Sequence, residues 1–152
     1  METTEKVHVL NDLIEINNDR VAGFEKAMTN IQDPNIDLKE LFQRFSQQSR
    51  QFSQELSALV ASRGGEVETG TSASGSLHRA WIDVKSLFGN NDREGILDEA
   101  ERGEDAIKKA YRDALADPDL PVDSRDTVVR QSADINAAHD EIRALRDAAT
   151  GS

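Results

Sequence analysis

Three residues combine types and spacing that suit chemistry: Glu101, Glu104 and His139. Glu101 and Glu104 stand three apart, so on a helix both leave from the same face. An imidazole level with two carboxylates is a nitrogen-and-oxygen donor set for one divalent cation, with iron, manganese or zinc as the candidates. Glu55 is a fourth, more distant member of the set. The same groups can exchange protons. No nucleophile accompanies them, so no catalytic residue is expected. Of the remaining histidines, His8 lies near the terminus and His78 is read as structural, and Trp81 is read as the clamp that holds its short helix on the rest of the fold. The chain has no cysteine, which excludes disulfides, thiolate metal sites and cysteine nucleophiles.

Composition narrows the partners. The chain has 152 residues, room for a single domain, and a net charge of −11. Its 18 basic residues are scattered among 29 acids, so no cationic patch is expected to meet nucleic acid. No apolar run approaches the length of a membrane span, and the first dozen residues lack the apolar core of a secretory signal. The expectation is a cytoplasmic protein.

The elements that must position these residues are helices. From about residue 4 to 31, Val7, Leu10, Ile14, Asn17, Val21, Phe24, Met28 and Ile31 alternate in steps of three and four, a seam with one polar member. Pro34 ends it. From about 37 to 62 the seam is Leu38, Phe42, Phe45, Ser49, Phe52, Leu56 and Leu59; Asp37 and Glu40 have capping-box spacing, and Gly64-Gly65 supplies the stop. A polar connection leads to a short helix at about 76–88. The third long helix, about 92–116, follows a capping pattern at Asn91 and Glu94. Its seam of mostly small residues is Ile96, Ala100, Gly103, Ile107, Ala110 and Ala114. Beside it, Leu97, Glu101, Glu104, Lys108, Tyr111 and Leu115 share a row. Glu104–Lys108, Asp105–Lys109 and Lys109–Asp113 are spaced for i,i+4 pairs. The fourth helix, about 123–149, carries Val128, Ser132, Ile135, His139, Ile142 and Arg146, with Val129 beside them.

Short connections inside each half and a long one between them predict antiparallel pairs joined by a crossover, so that the second and third helices run parallel. The fold expected is all-α: a ferritin-like four-helix bundle with a short extra helix in the crossover. A plain up-down-up-down bundle is the alternative. Levelling Ala116 with Asp123 brings His139 within a turn of Glu101 and sets Glu55 opposite 14–18. Each long helix therefore brings polar groups to mid-bundle. Di-iron bundles hold metal at that height with two Glu-x-x-His steps. Helix two offers Glu55-x-x-Ala58 and helix four Asn136-x-x-His139, so at most one metal fits. The competing reading is a hydrogen-bonded polar layer that fixes helix register, with Glu101 or Glu104 accepting from His139 and Asn17 bridging to Glu55.

Leu10-Asn11-Asp12-Leu13-Ile14-Glu15, Gly75-Ser76-Leu77-His78-Arg79-Ala80-Trp81-Ile82-Asp83-Val84-Lys85, Glu101-Arg102-Gly103-Glu104-Asp105 and the stretch from His139 to Asp147 together resemble a bacterial family of ferritin-like four-helix bundles catalogued as a domain of unknown function. The resemblance covers about residues 7–147. It implies a ferritin-like fold and brings no activity. The ligand motifs of ferritins and rubrerythrins are missing, so iron storage does not carry over with the fold. The function expected is non-enzymatic, structural or protein-interacting, without a cofactor, in a homodimer or with another protein. The alternative is a metal protein using Glu101, Glu104, His139 and Glu55, with a redox or stress role.

Overall fold

A computed structural model describes residues 7–29, 31, 35–67 and 93–151. The short helix expected at 76–88, with His78 and Trp81, lies outside the described residues, as does the Asn91 cap. Four long helices make up the rest: α1 (His8–Met28), α2 (Ile36–Ser62), α3 (Arg93–Ala116) and α4 (Arg125–Gly151). A 3-10 turn, Val122–Ser124, leads into α4.

Side-chain ties at the two ends establish the connectivity. At one end, Arg63 after α2 pairs with Asp123 before α4 (3.3 Å), and Asn11 near the start of α1 donates to the Glu66 carbonyl (2.9 Å). At the other, Arg93 opening α3 grips both oxygens of Asp37 at the start of α2 (2.9 and 2.7 Å). The starts of α2 and α3 therefore share one end, and the two helices run parallel. The connection between them joins opposite ends of the bundle. That is the ferritin-like order.

The Arg93 grip corrects the expected cap. Asp37 lies inside the helix, whose N-cap is Asn35 without a side-chain cap bond. The ion pair holds the Asp37 carboxyl below its usual range, chiefly through the Arg93 hydrogen bond. The stop of α2 follows the Gly-Gly expectation. Gly64 adopts φ +74°, its N–H bonds the Ala61 carbonyl at 3.0 Å, and the Gly65 N–H bonds Val60 at 3.1 Å. Those two bonds make a Schellman motif. Gly65 also lies under Val7, whose Cγ2 would stand 2.9 Å from an added Cβ.

The apolar core runs the length of the bundle. Phe24, Phe42 and Phe45 form a tilted aromatic cluster with centroids 4.9 and 5.7 Å apart, and Leu10, Leu56, Leu97, Ile107, Ile135 and Ile142 are fully buried. Of the expected first seam, Val7, Leu10, Ile14, Asn17, Phe24 and Ile31 are buried, and a second buried row that the apolar pattern does not mark, Leu13–Arg20–Ala27, runs beside it in steps of seven. Val21 and Met28, placed on the seam by apolarity alone, are only half-buried. In α4, Val129 is 47% exposed, whereas Gln131 is buried two positions further on.

Candidate functional site

Arg20 dominates the middle of the bundle. Its side chain and that of Glu104 are both fully buried. Nε donates to Glu104 Oε1 at 2.7 Å and Nη2 to Oε2 at 2.8 Å, a fork-on-fork pair. The remaining nitrogen, Nη1, donates to Gln48 Oε1 (2.8 Å) and Ser49 Oγ (2.9 Å). The guanidinium carbon lies 5.3 Å from the Phe24 ring centre and 5.2 Å from that of Phe45. Such stacking suits a weakly hydrated planar cation.

From there a chain of bonds crosses all four helices. Ser49 Oγ donates to Asn17 Oδ1 (2.8 Å), and Asn17 Nδ2 donates to the Tyr111 hydroxyl (2.8 Å). Tyr111 donates to Gln131 Oε1 (2.7 Å), and Gln131 Nε2 donates to Glu55 Oε1 (2.9 Å). Arg130 closes the sequence on Glu55 Oε2 at 3.0 Å. Burial pushes the Tyr111 hydroxyl far above its ordinary pKa, so it stays protonated and keeps its donor role. Each member has a partner for the capacity it buries, the condition under which a polar layer is tolerated.

The four candidate residues part company here. Glu104 faces inward, but Arg20 holds both its oxygens. Glu55 belongs to the far end of the same chain, on the α2–α4 side. Only Glu101 and His139 come together: His139 Nε2 stands 3.5 Å from Glu101 Oε2. The third neighbour is Asp105, whose Oδ1 is 2.6 Å from the same nitrogen. Donor atoms of Glu101, Asp105 and His139 all lie within 4.8 Å of one another. Arg146 pairs with Glu101 through its other oxygen. Asn17 does reach towards Glu55, but through Tyr111 and Gln131 rather than directly. A second group, His8, Asp117 and Asp119, lies near the surface where α1 begins and the chain passes from α3 to α4.

Of the expected i,i+4 pairs only Lys109–Asp113 forms, at 2.9 Å; Glu104 turns to Arg20 and Asp105 to His139. Arg20, Tyr111 and Asp105 complete the arrangement and were not among the sequence candidates. For Arg20 a signal existed: the seven-residue spacing Leu13, Arg20, Ala27 parallels Leu10, Asn17, Phe24. For Asp105 no seam position announced it, since it is exposed and reaches inward from the edge.

The architecture and its centre define an all-α, ferritin-like four-helix bundle. The chain belongs to the family described as a domain of unknown function, DUF2383, whose model matches residues 5–117. Among solved structures it is similar to a mutant of Dps1 from Mycobacterium smegmatis, with a TM-score of 0.77 at 14% identity, covering 95% of this chain and 97% of that one. That likeness establishes the fold. No curated protein matches. Among the described residues no helix is long and apolar enough to cross a membrane.

Proposed function

We propose that this chain is a non-enzymatic bundle with a structural or protein-interaction role, its central polar groups serving to fix the fold. The observation carrying this reading is the Arg20–Glu104 pair. A guanidinium occupies both oxygens of the central carboxylate, at zero exposure, where a di-iron bundle would direct carboxylates at metal. Glu55 is similarly engaged by Arg130 and Gln131. The surface available to a partner includes Val122, 89% exposed, and Val129 at the start of α4. Self-association is the simplest interaction to measure. Sedimentation velocity over a range of concentrations should show a dimer that Val129→Lys weakens. A monomer at every concentration removes the homodimer from this reading.

A second reading rests on the Glu101–Asp105–His139 cluster, which would hold one divalent metal. The donor types fit. The 3.5 Å between Glu101 Oε2 and His139 Nε2 matches two ligands about 2.1 Å from a shared tetrahedral ion. Asp105, with its side chain 61% exposed, must withdraw from its 2.6 Å contact by roughly 0.8 Å to do the same. A bound metal would act there as a Lewis acid or redox centre, while Arg146 would retain the second oxygen of Glu101. Anaerobic loading with Fe(II), Mn(II) or Zn(II), then desalting and elemental analysis, decides between the two. Stoichiometric metal lost in His139→Ala but kept in Glu104→Gln supports this second site. Metal absent from the wild-type chain removes it.

A further inference from the structure

The α3–α4 hairpin carries a concavity separate from the inner network. Its volume is about 510 Å³, and Lys108, Lys109 and Arg112 on α3 face Ser132 and Asn136 on α4, with Asp105 at one end. In a chain of net charge −11, this lining sets three cations against one carboxylate. That carboxylate is engaged by His139 at 2.6 Å. Lys109 and Arg112 both lean on Asp113, at 2.9 and 3.9 Å.

Lys108 is different. It is half-buried, yet it makes no hydrogen bond or ion pair among the described residues. The cause lies across the bundle. The helix partner one turn before Lys108 is Glu104, and Arg20 has taken both of its oxygens. The inner salt bridge thereby releases an ammonium into the groove. On the opposite wall Ser132 and Asn136, one turn apart, present a hydroxyl and an amide that also lack partners among the described residues.

An ammonium, a hydroxyl and an amide lining one groove from two helices offer a donor set for an oxyanion with several acceptor atoms. Leu115, half-buried in the same lining, adds an apolar surface for an organic body. We propose that the α3–α4 groove binds a phosphate group, with Lys108 as its ion-pairing residue and Ser132 and Asn136 as neutral donors. The rim cations draw the anion in and are screened by salt.

The full chain is titrated at low ionic strength with inorganic phosphate and, separately, with phenyl phosphate, by calorimetry and amide chemical shifts. Binding should saturate, with shifts centred on 105–115 and 132–136. Lys108→Met, which keeps the aliphatic stem, should weaken it about tenfold or more. Asn136→Asp places a carboxylate on an exposed groove position and should weaken binding similarly, which covers any folding defect at Lys108. Lys39→Met, on α2, should change nothing. Phenyl phosphate binding about tenfold tighter than inorganic phosphate identifies a phosphate monoester as the ligand; equal affinities identify the free anion. A response that never saturates, or equal losses in Lys108→Met and Lys39→Met, overturns the proposal.

Discussion

Arg20 is a cation with no access to water, so its environment must replace everything that water supplied. Glu104 supplies the charge, and Gln48 and Ser49 supply further acceptors. Removing one partner leaves the other charged and stranded. Arg20→Met or Glu104→Ala should each destabilise the fold by about 3–5 kcal/mol in urea unfolding. Arg20→Met combined with Glu104→Met should recover much of that loss, because a buried pair replaced by apolar residues is often near neutral. Additive losses in the double variant would show that the two residues are not coupled. Tyr111→Phe is a smaller version of the same experiment. It strips the hydroxyl that Asn17 donates to and that donates to Gln131, and should cost about 1–3 kcal/mol. Sequence reading found Asn17, Ser49 and Glu104 because polar residues on an apolar stripe stand out. It overlooked Arg20 because Val21, next door, satisfied the apolar pattern equally well. A hydrophobicity criterion cannot select a buried cation whose partner lies 84 residues away.

At the scale of the element, the ends of α2 show how local signals compete with tertiary ones. The Gly64-Gly65 stop is legible because it depends on backbone geometry that glycine alone adopts cheaply. Gly64→Ala should therefore cost about 1 kcal/mol, read as a lowered urea midpoint. A neutral result would mean that the φ of +74° relaxes freely. The start of α2 is not legible in the same way, since Arg93 claims the residue that reads as its cap. Asp37 has a lowered pKa in the folded chain. Its pairing therefore stabilises the fold above the ordinary carboxylate pKa, and the contribution disappears as pH falls through the lower, folded value. The side chain is 56% exposed, which limits the effect to about 1 kcal/mol or less. Asp37→Asn should lower the melting temperature near neutral pH and match the parent once both are well into acid. A gap that persists there would point to a steric cause.

Over the whole molecule, connectivity was the most legible feature, because loop lengths constrain it without reference to side chains. Which polar groups meet across the bundle was legible only in part. Levelling helices by loop length brought His139 to Glu101 correctly, but it could not show that Asp105 would reach in from the edge while Glu104 turned away. The charge of −11 acts at this scale as well. Self-repulsion among exposed acids weakens the compact state, and added salt screens it, whereas the buried Arg20–Glu104 pair is nearly insensitive. The melting temperature should rise between low ionic strength and about half-molar sodium chloride. A fall would mean that the surface ion pairs outweigh the repulsion.

The central pair draws its two members from opposite sides of the crossover, Arg20 from the first hairpin and Glu104 from the second. During synthesis the arginine emerges long before its counter-ion. Until that glutamate arrives, a collapsed first half would have to entomb a lone positive charge or leave its seam ajar. Neither half is therefore expected to be a self-sufficient folding unit, and a break in the chain between them should yield two fragments that acquire order only on mixing.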